Sequence, residues 1–242
     1  MRLYLSSYRL GNAVDELLGL IGSGRRALVV TNALDTIPPE RREAHRRTVY
    51  DPVAAFADLG IAAELWDLQD TDGGSAAITR ALETCDLVWV MGGNCFVLRR
   101  AMKKSGFDAA IREALTADAL VYGGFSAGAV TATPTLRGIE LMDDPYGVPA
   151  GYDPEIVWEG LNLVDFSIVP HFESDHPEAA SAKVTAERLT RLGLPHRTLR
   201  DGEAIVVERE ELRLVGGSND RTARRPAGND PDRPPDPCRA AA

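Results

Sequence analysis

Cysteine is scarce in this chain of 242 residues. Only Cys85, Cys95 and Cys238 occur, without paired spacing, which excludes a disulfide framework or a cysteine zinc site and suits a reducing compartment. Long hydrophobic runs are also missing. The chain opens on strand-like Leu3-Tyr4-Leu5 after a single arginine, so neither a signal peptide nor a membrane span is expected. Positive charge is in deficit, with a formal net charge of -9. Basic residues cluster no further than pairs such as Arg99-Arg100, which argues against nucleic-acid binding. Cofactor loops are wanting too. Gly22-Ser23-Gly24 follows a helical stretch and reads as its C-terminal cap rather than a phosphate loop. Residues 70–74, DTDGG, begin like a calcium loop but lack its later glutamate and read as a turn. The expectation is a cytoplasmic protein without metal or cofactor, and without a nucleic-acid or membrane partner.

What is present is a core-building pattern, with 44% hydrophobic residues. Apolar strand-like runs at 2–5, 27–31, 62–68, 86–91, 119–122 and 167–169 alternate with helical stretches at 12–21, 39–59, 75–85, 97–105, 107–117 and 177–192. Runs such as Leu87-Val88-Trp89-Val90 carry apolar residues on successive positions, the mark of strands covered on both faces. The alternation predicts an α/β domain over 1–217: a doubly wound, mostly parallel sheet with helices on both faces. Strands at 203–208 and 211–215, joined by a short polar connection, predict a C-terminal antiparallel hairpin. Beyond Ser218 the prolines, aspartates and arginines leave almost nothing to bury, so 218–242 reads as a disordered tail.

The most informative segment is Gly124-Phe125-Ser126-Ala127-Gly128, a G-x-S-x-G pentapeptide. The apolar Leu120-Val121-Tyr122 leads into it and small residues follow, which predicts a strand, a tight turn carrying Ser126, and a helix. In an open parallel sheet, functional groups gather beyond the carboxyl ends of the strands. Three turns therefore belong to one edge of the sheet: Gly92-Gly93-Asn94, Ser126, and Pro170-His171.

A serine hydroxyl attacks a carbonyl only when a base accepts its proton. His171 is the best-placed histidine and His176 an alternative; His45 falls in an arginine-rich helix and His196 in a turn. An oxyanion hole requires backbone N–H donors. Ala127, at a helix N-terminus, and Gly93, after a buried strand, are the candidates, although Gly93 also reads as a turn needing positive φ. Asn94 in that turn is a candidate substrate contact. The acid that orients the base is open at this point. Asp201 leads, with Glu203 and Glu140 as alternatives and Asp143 also within conceivable reach.

Taken together, Met91-Gly92-Gly93-Asn94-Cys95-Phe96, the Gly123–Ala129 segment, Ile168-Val169-Pro170-His171-Phe172 and Leu199-Arg200-Asp201-Gly202 resemble the peptidase E family. That family comprises aspartyl dipeptidases and, more distantly, cyanophycinases, within the class I glutamine amidotransferase-like fold. The resemblance runs in order over roughly residues 1–217. It implies Ser126 as nucleophile, His171 as base, Gly93 and Ala127 at the oxyanion hole, and Asp201 in the acid's turn, where peptidase E carries glutamate. The family pairs the substrate's aspartyl side chain with an arginine on the helix after the histidine. Thr185 stands near that place here, with Lys183 and Arg188 offset from it as candidate substrate contacts that otherwise read as solvated helix charges.

The expected function is hydrolysis of a short peptide through a Ser-His-acid triad and an acyl-enzyme. Two alternatives stand beside it: a catalytically weak or inactive relative that binds a ligand or partner in the same cleft, and another amidohydrolase of this fold. The partner expected is a small peptide, and a homodimer is compatible with the sequence.

Overall fold

A computed structural model of the chain describes residues 1–70 and 74–217. The expected tail at 218–242 and most of the DTDGG turn lie outside the described residues.

Five parallel strands form the body of a seven-stranded sheet: β1 (Arg2–Ser6), β2 (Arg26–Val30), β3 (Ala62–Trp66), β4 (Leu87–Val90) and β5 (Val121–Phe125). β8 (Ala204–Glu208) and β9 (Glu211–Val215) complete it, in the order β3-β2-β4-β5-β1-β8-β9. β8 runs antiparallel to β1 and β9 antiparallel to β8. The expected hairpin thus closes one edge.

Alternate residues of each central strand feed two cores, as strand geometry requires. On β4, Val88 and Val90 join one apolar cluster and Leu87 and Trp89 the other. The first is covered by α4 (Gly74–Leu82), α5 (Cys95–Ser105), α6 (Phe107–Thr116) and the short α7 (Ala127–Val130). The second is covered by α1 (Val14–Ile21) and by Phe56 of α3 (Pro52–Ala57).

Three expectations need correction. The single helix expected over 39–59 is two, α2 (Pro39–Thr48) and α3. Proline disfavours helical backbone in the residue before it and lacks the N–H to continue a helix. Asp51 instead caps α3, accepting from the N–H of Val53 at 2.9 Å. The strand at 167–169 stands outside the main sheet. As β6 (Ser167–Val169) it pairs in parallel with β7 (His196–Thr198) and, among the described residues, with no other strand, because β8 occupies the position beside β1. His196 therefore lies in a strand rather than a turn.

Finally, Arg99-Arg100 is no surface pair: the two residues are 1% and 3% exposed. Arg99 grips Asp108 with two bonds of 2.7 Å. Arg100 donates to the carbonyls of Pro145, Asp153 and Glu155, tying down the irregular chain that follows the Ser126 helix. Buried guanidinium groups need such partners.

Candidate active site

Ser126 sits where β5 turns into α7, with φ 47° and ψ -115°. A non-glycine residue with positive φ is strained and persists only where its surroundings fix it. Here they do. The Ser126 N–H is held at 3.2 Å by both the Ser6 and Ser7 carbonyls at the end of β1. The flanking glycines let the turn press onto β4: a Cβ on Gly128 would lie 2.2 Å from the Val90 carbonyl oxygen, and one on Gly124 would lie 2.9 Å from the same atom. Both glycines of the pentapeptide are thus demanded by close approach.

His171 follows β6 and is 1% exposed. Its Nε2 lies 3.1 Å from Ser126 Oγ and its Nδ1 lies 2.8 Å from Asp201 Oδ1. Asp201 occupies the turn before β8, where its own N–H donates to Ser174 Oγ at 2.7 Å. Burial acts to raise the Asp201 pKa, but the bond and charge of His171, with help from Ser7, outweigh it and hold the carboxyl below its ordinary range.

The alternative acids lie elsewhere. Glu203 accepts from the Arg200 N–H at 2.8 Å. Glu140 accepts from the Gly138 N–H and pairs with Arg188 at 3.3 Å. That pairing engages Arg188, and Lys183 is exposed on the helix α8 (Ala179–Arg191). Asn94 is an N-cap: its Oδ1 accepts from Phe96 and Val97, and its Nδ2 donates to the Asp144 carbonyl.

At the oxyanion side, Gly93 is exposed with φ 136°. A Cβ there would lie 2.5 Å from the Ala33 carbonyl oxygen, so both conformation and crowding call for glycine. The Ser126 N–H is committed to the end of β1, and Ala127 opens α7 directly after it. Cys95 is fully buried, and burial together with Asp143 pushes its thiol well above the ordinary range, which disfavours a thiolate.

Several neighbours were not legible in the sequence. Ser7 touches all three central residues: its carbonyl receives the Ser126 N–H, its Oγ accepts the His171 N–H at 2.8 Å, and the same hydroxyl donates toward Asp201 Oδ1 at 2.9 Å. The one available signal was that Ser6-Ser7-Tyr8 follows a strand on the same sheet edge. His176, an alternative base, instead stacks on His171 with ring centroids 3.7 Å apart. Half-buried Glu178 brings a carboxylate oxygen to 3.8 Å from His171 Nε2, and burial, then Asp143, raises its pKa. His171, His176 and Glu178 offer metal-ligand atoms within 4.8 Å of one another. However, His171 Nε2 already faces Ser126, and His176 Nδ1 accepts the Glu178 N–H at 3.3 Å.

The model of peptidase family S51 matches residues 37–215. The chain belongs to that family. It is 31% identical over 224 residues to the peptidase E of Streptomyces coelicolor, covering 89% of this chain and 82% of that one. A Drosophila melanogaster protein carrying the alpha-aspartyl dipeptidase name is 36% identical over 147 residues, 58% of this chain and 57% of its own length. A crystal structure from Listeria monocytogenes EGD-e that bears the peptidase E name superposes with a TM-score of 0.69 at 26% identity. It covers 90% of this chain and 98% of that one. The chain spans 57 to 66% of the length of three curated relatives it matches. Among the described residues, no helix is long and apolar enough to cross a membrane.

Proposed function

We propose that this S51 chain is a serine peptidase that hydrolyses a short peptide, in the manner of a dipeptidase, with Ser126, His171 and Asp201 as its catalytic residues. The observation that carries this reading is the unbroken line of hydrogen bonds from Ser126 Oγ through His171 to Asp201.

His171 Nε2 takes the Ser126 proton as Oγ bonds to the substrate carbonyl carbon. The oxygen turns anionic and draws on the N–H groups of Gly93 and Ala127, with the N-terminus of α7 adding its dipole. His171 then passes the proton to the leaving amine as the C–N bond breaks, leaving an acyl-enzyme. Water repeats the sequence: its proton goes to His171, its oxygen bonds to the acyl carbon, and Oγ leaves and recovers a proton. Asp201 holds the imidazole in the tautomer with hydrogen on Nδ1 throughout.

The Asp201 contact speaks against a catalytically weak relative, since the uncertain acid was that alternative's motive. The buried Cys95 thiol speaks against a cysteine amidohydrolase. We place the enzyme in the cytoplasm, where the free thiols of Cys85 and Cys95 are at home. A fluorophosphonate probe is expected to label the protein and to lose that labelling in Ser126→Ala. Labelling that survives the substitution overturns the assignment.

A further inference from the structure

We propose that Arg9, assisted by Tyr50, holds a carboxylate group of the substrate at the Ser126 cleft. The proposal rests on the peptidase reading of that cleft and adds the recognition that α8 does not supply.

Arg9 lies between two aromatic rings, its guanidinium carbon 4.8 Å from the centroid of Tyr8 and 4.7 Å from that of Tyr50. Both rings meet Phe125 nearly edge-on at 6.2 Å, and Phe125 directly precedes Ser126. Tyr8 also reaches the edge of His171 at 6.0 Å. A single ring, Tyr8, thus separates the cation from the imidazole, and Phe125 adds a second on the way to Ser126.

Its hydrogen bonding is incomplete. Arg9 Nε and the Tyr50 hydroxyl are buried, and neither has a hydrogen-bond partner among the described residues. By contrast, Arg42, Arg46, Arg99 and Arg213 each pair with a carboxylate. Among the described residues the Arg9 guanidinium has no carboxylate partner and no hydrogen-bond acceptor, which leaves its terminal N–H groups for an acceptor supplied from outside the chain. Stacking fixes the plane of a guanidinium while its N–H edge remains able to grip a carboxylate in two bonds. Burial pushes the Tyr50 phenol above its ordinary pKa, against the pull of Arg9, so it remains a donor at neutral pH.

The backbone is shaped to the same end. Arg9 has φ 49°, a left-handed conformation held by a turn in which the Gly11 N–H donates to the Tyr8 carbonyl at 3.1 Å. The Asn12 N–H donates to the Gly202 carbonyl at 2.8 Å, and Tyr4 donates to the Leu10 carbonyl at 2.7 Å. Strain of this kind, when its surroundings enforce it, gathers at ligand clamps. Electrostatics add a reason. Asp143, Glu178 and Asp201 crowd the His171 side, and a substrate carboxylate needs a cation to enter such a cleft.

The carboxylate has two sources, the C-terminus of a dipeptide or the side chain of an N-terminal aspartate. Four probes separate them: Asp-Ala, Asn-Ala and the C-terminal amide of each. Binding is measured by calorimetry to Ser126→Ala protein, with and without Arg9→Gln or Tyr50→Phe. With Arg9 in place, one neutralised probe is expected to bind at least tenfold more weakly than Asp-Ala; in Arg9→Gln that gap closes to within about twofold. Loss with the amide assigns the C-terminus, and loss with asparagine assigns the side chain. Tyr50→Phe, which removes one hydroxyl, narrows the gap by a smaller factor and serves should Arg9→Gln not fold. Equal weakening of all four probes, a gap that survives Arg9→Gln, or no binding of any probe overturns the proposal. Cleavage of the same probes by the Ser126 protein reports separately: no cleavage together with Arg9-dependent binding overturns the peptidase reading alone.

Discussion

Ser126 and His171, the proposed nucleophile and base, are held by different physics. Ser126 stands just past the end of a fully buried central strand of the main sheet, where Gly124 and Gly128 lie against the Val90 carbonyl and the end of β1 takes its N–H. His171 leaves a three-residue strand outside that sheet, and its own φ of 60° and the 47° of Glu173 show a backbone bent away from regular structure. What secures it is polar: Ser7 on its N–H, Asp201 on its ring, and a Phe172 N–H bond to the Leu199 carbonyl at 2.9 Å. Backbone packing positions Ser126, and side-chain hydrogen bonds position His171 and Asp201. Damage to the first is therefore damage to the fold, while damage to the second is damage to the rate.

The largest expected effect is at the elbow. Gly128→Ala drives a methyl into the Val90 carbonyl, and we expect destabilisation above about 4 kcal/mol and little soluble protein. Ser126→Ala should instead keep the melting temperature while removing about six orders of magnitude of kcat. A Gly128→Ala protein that melts with the wild type breaks the packing half of the comparison.

Next is Asp201→Asn, expected to lower kcat by about four orders of magnitude with the fold retained. Its pH signature sharpens the polar half. Because the folded pKa of Asp201 is depressed, its contribution to stability is complete above the unfolded value, about 3.9, and is lost as pH falls through the lower folded value. Denaturation midpoints from pH 7 downward should show that loss in wild type and not in Asp201→Asn.

Ser7→Ala comes third. It loosens the imidazole without removing any reacting group, and a misplacement of that kind lowers kcat by up to about 100-fold. The loss should fall on kcat rather than KM.

Glu178→Gln is the smallest. The raised pKa means that the ionised carboxylate is disfavoured in the fold, so the substitution should stabilise at neutral pH, with the gain fading as pH falls through the raised folded value and gone below the unfolded value, about 4.3. Its side chain is 41% exposed, so solvent screening keeps the gain well under about 1 kcal/mol. Melting curves at two pH values check the sign.

Much of the fold was legible because its signals are local. Successive apolar residues marked β4 and β5, and the spaced runs between them gave the order of strands and helices. The elbow was legible for the same reason, since its strand, turn and small-residue helix are contiguous. The break at Asp51-Pro52 is also local, since the proline itself disfavours a helix running through it. The placement of β6 was not legible, because three apolar residues cannot say which edge they will join. Nor was Arg99-Arg100, whose burial depends on a loop dozens of residues further along.

The tight turn at Ser126, the alternation of strands and helices along the chain, the closing hairpin and the family likeness follow from the sequence by itself, because each rests on neighbours a few residues apart. The contact of His171 with Asp201 rather than Glu203 or Glu140, the hydrogen bonds of Ser7, and the stacking of Arg9 on Tyr8 and Tyr50 were decided by tertiary structure. These contacts join residues far apart along the chain, from 30 positions for His171 and Asp201 to 194 for Ser7 and Asp201. Which polar groups meet there depends on directions and distances that spacing along the chain does not carry.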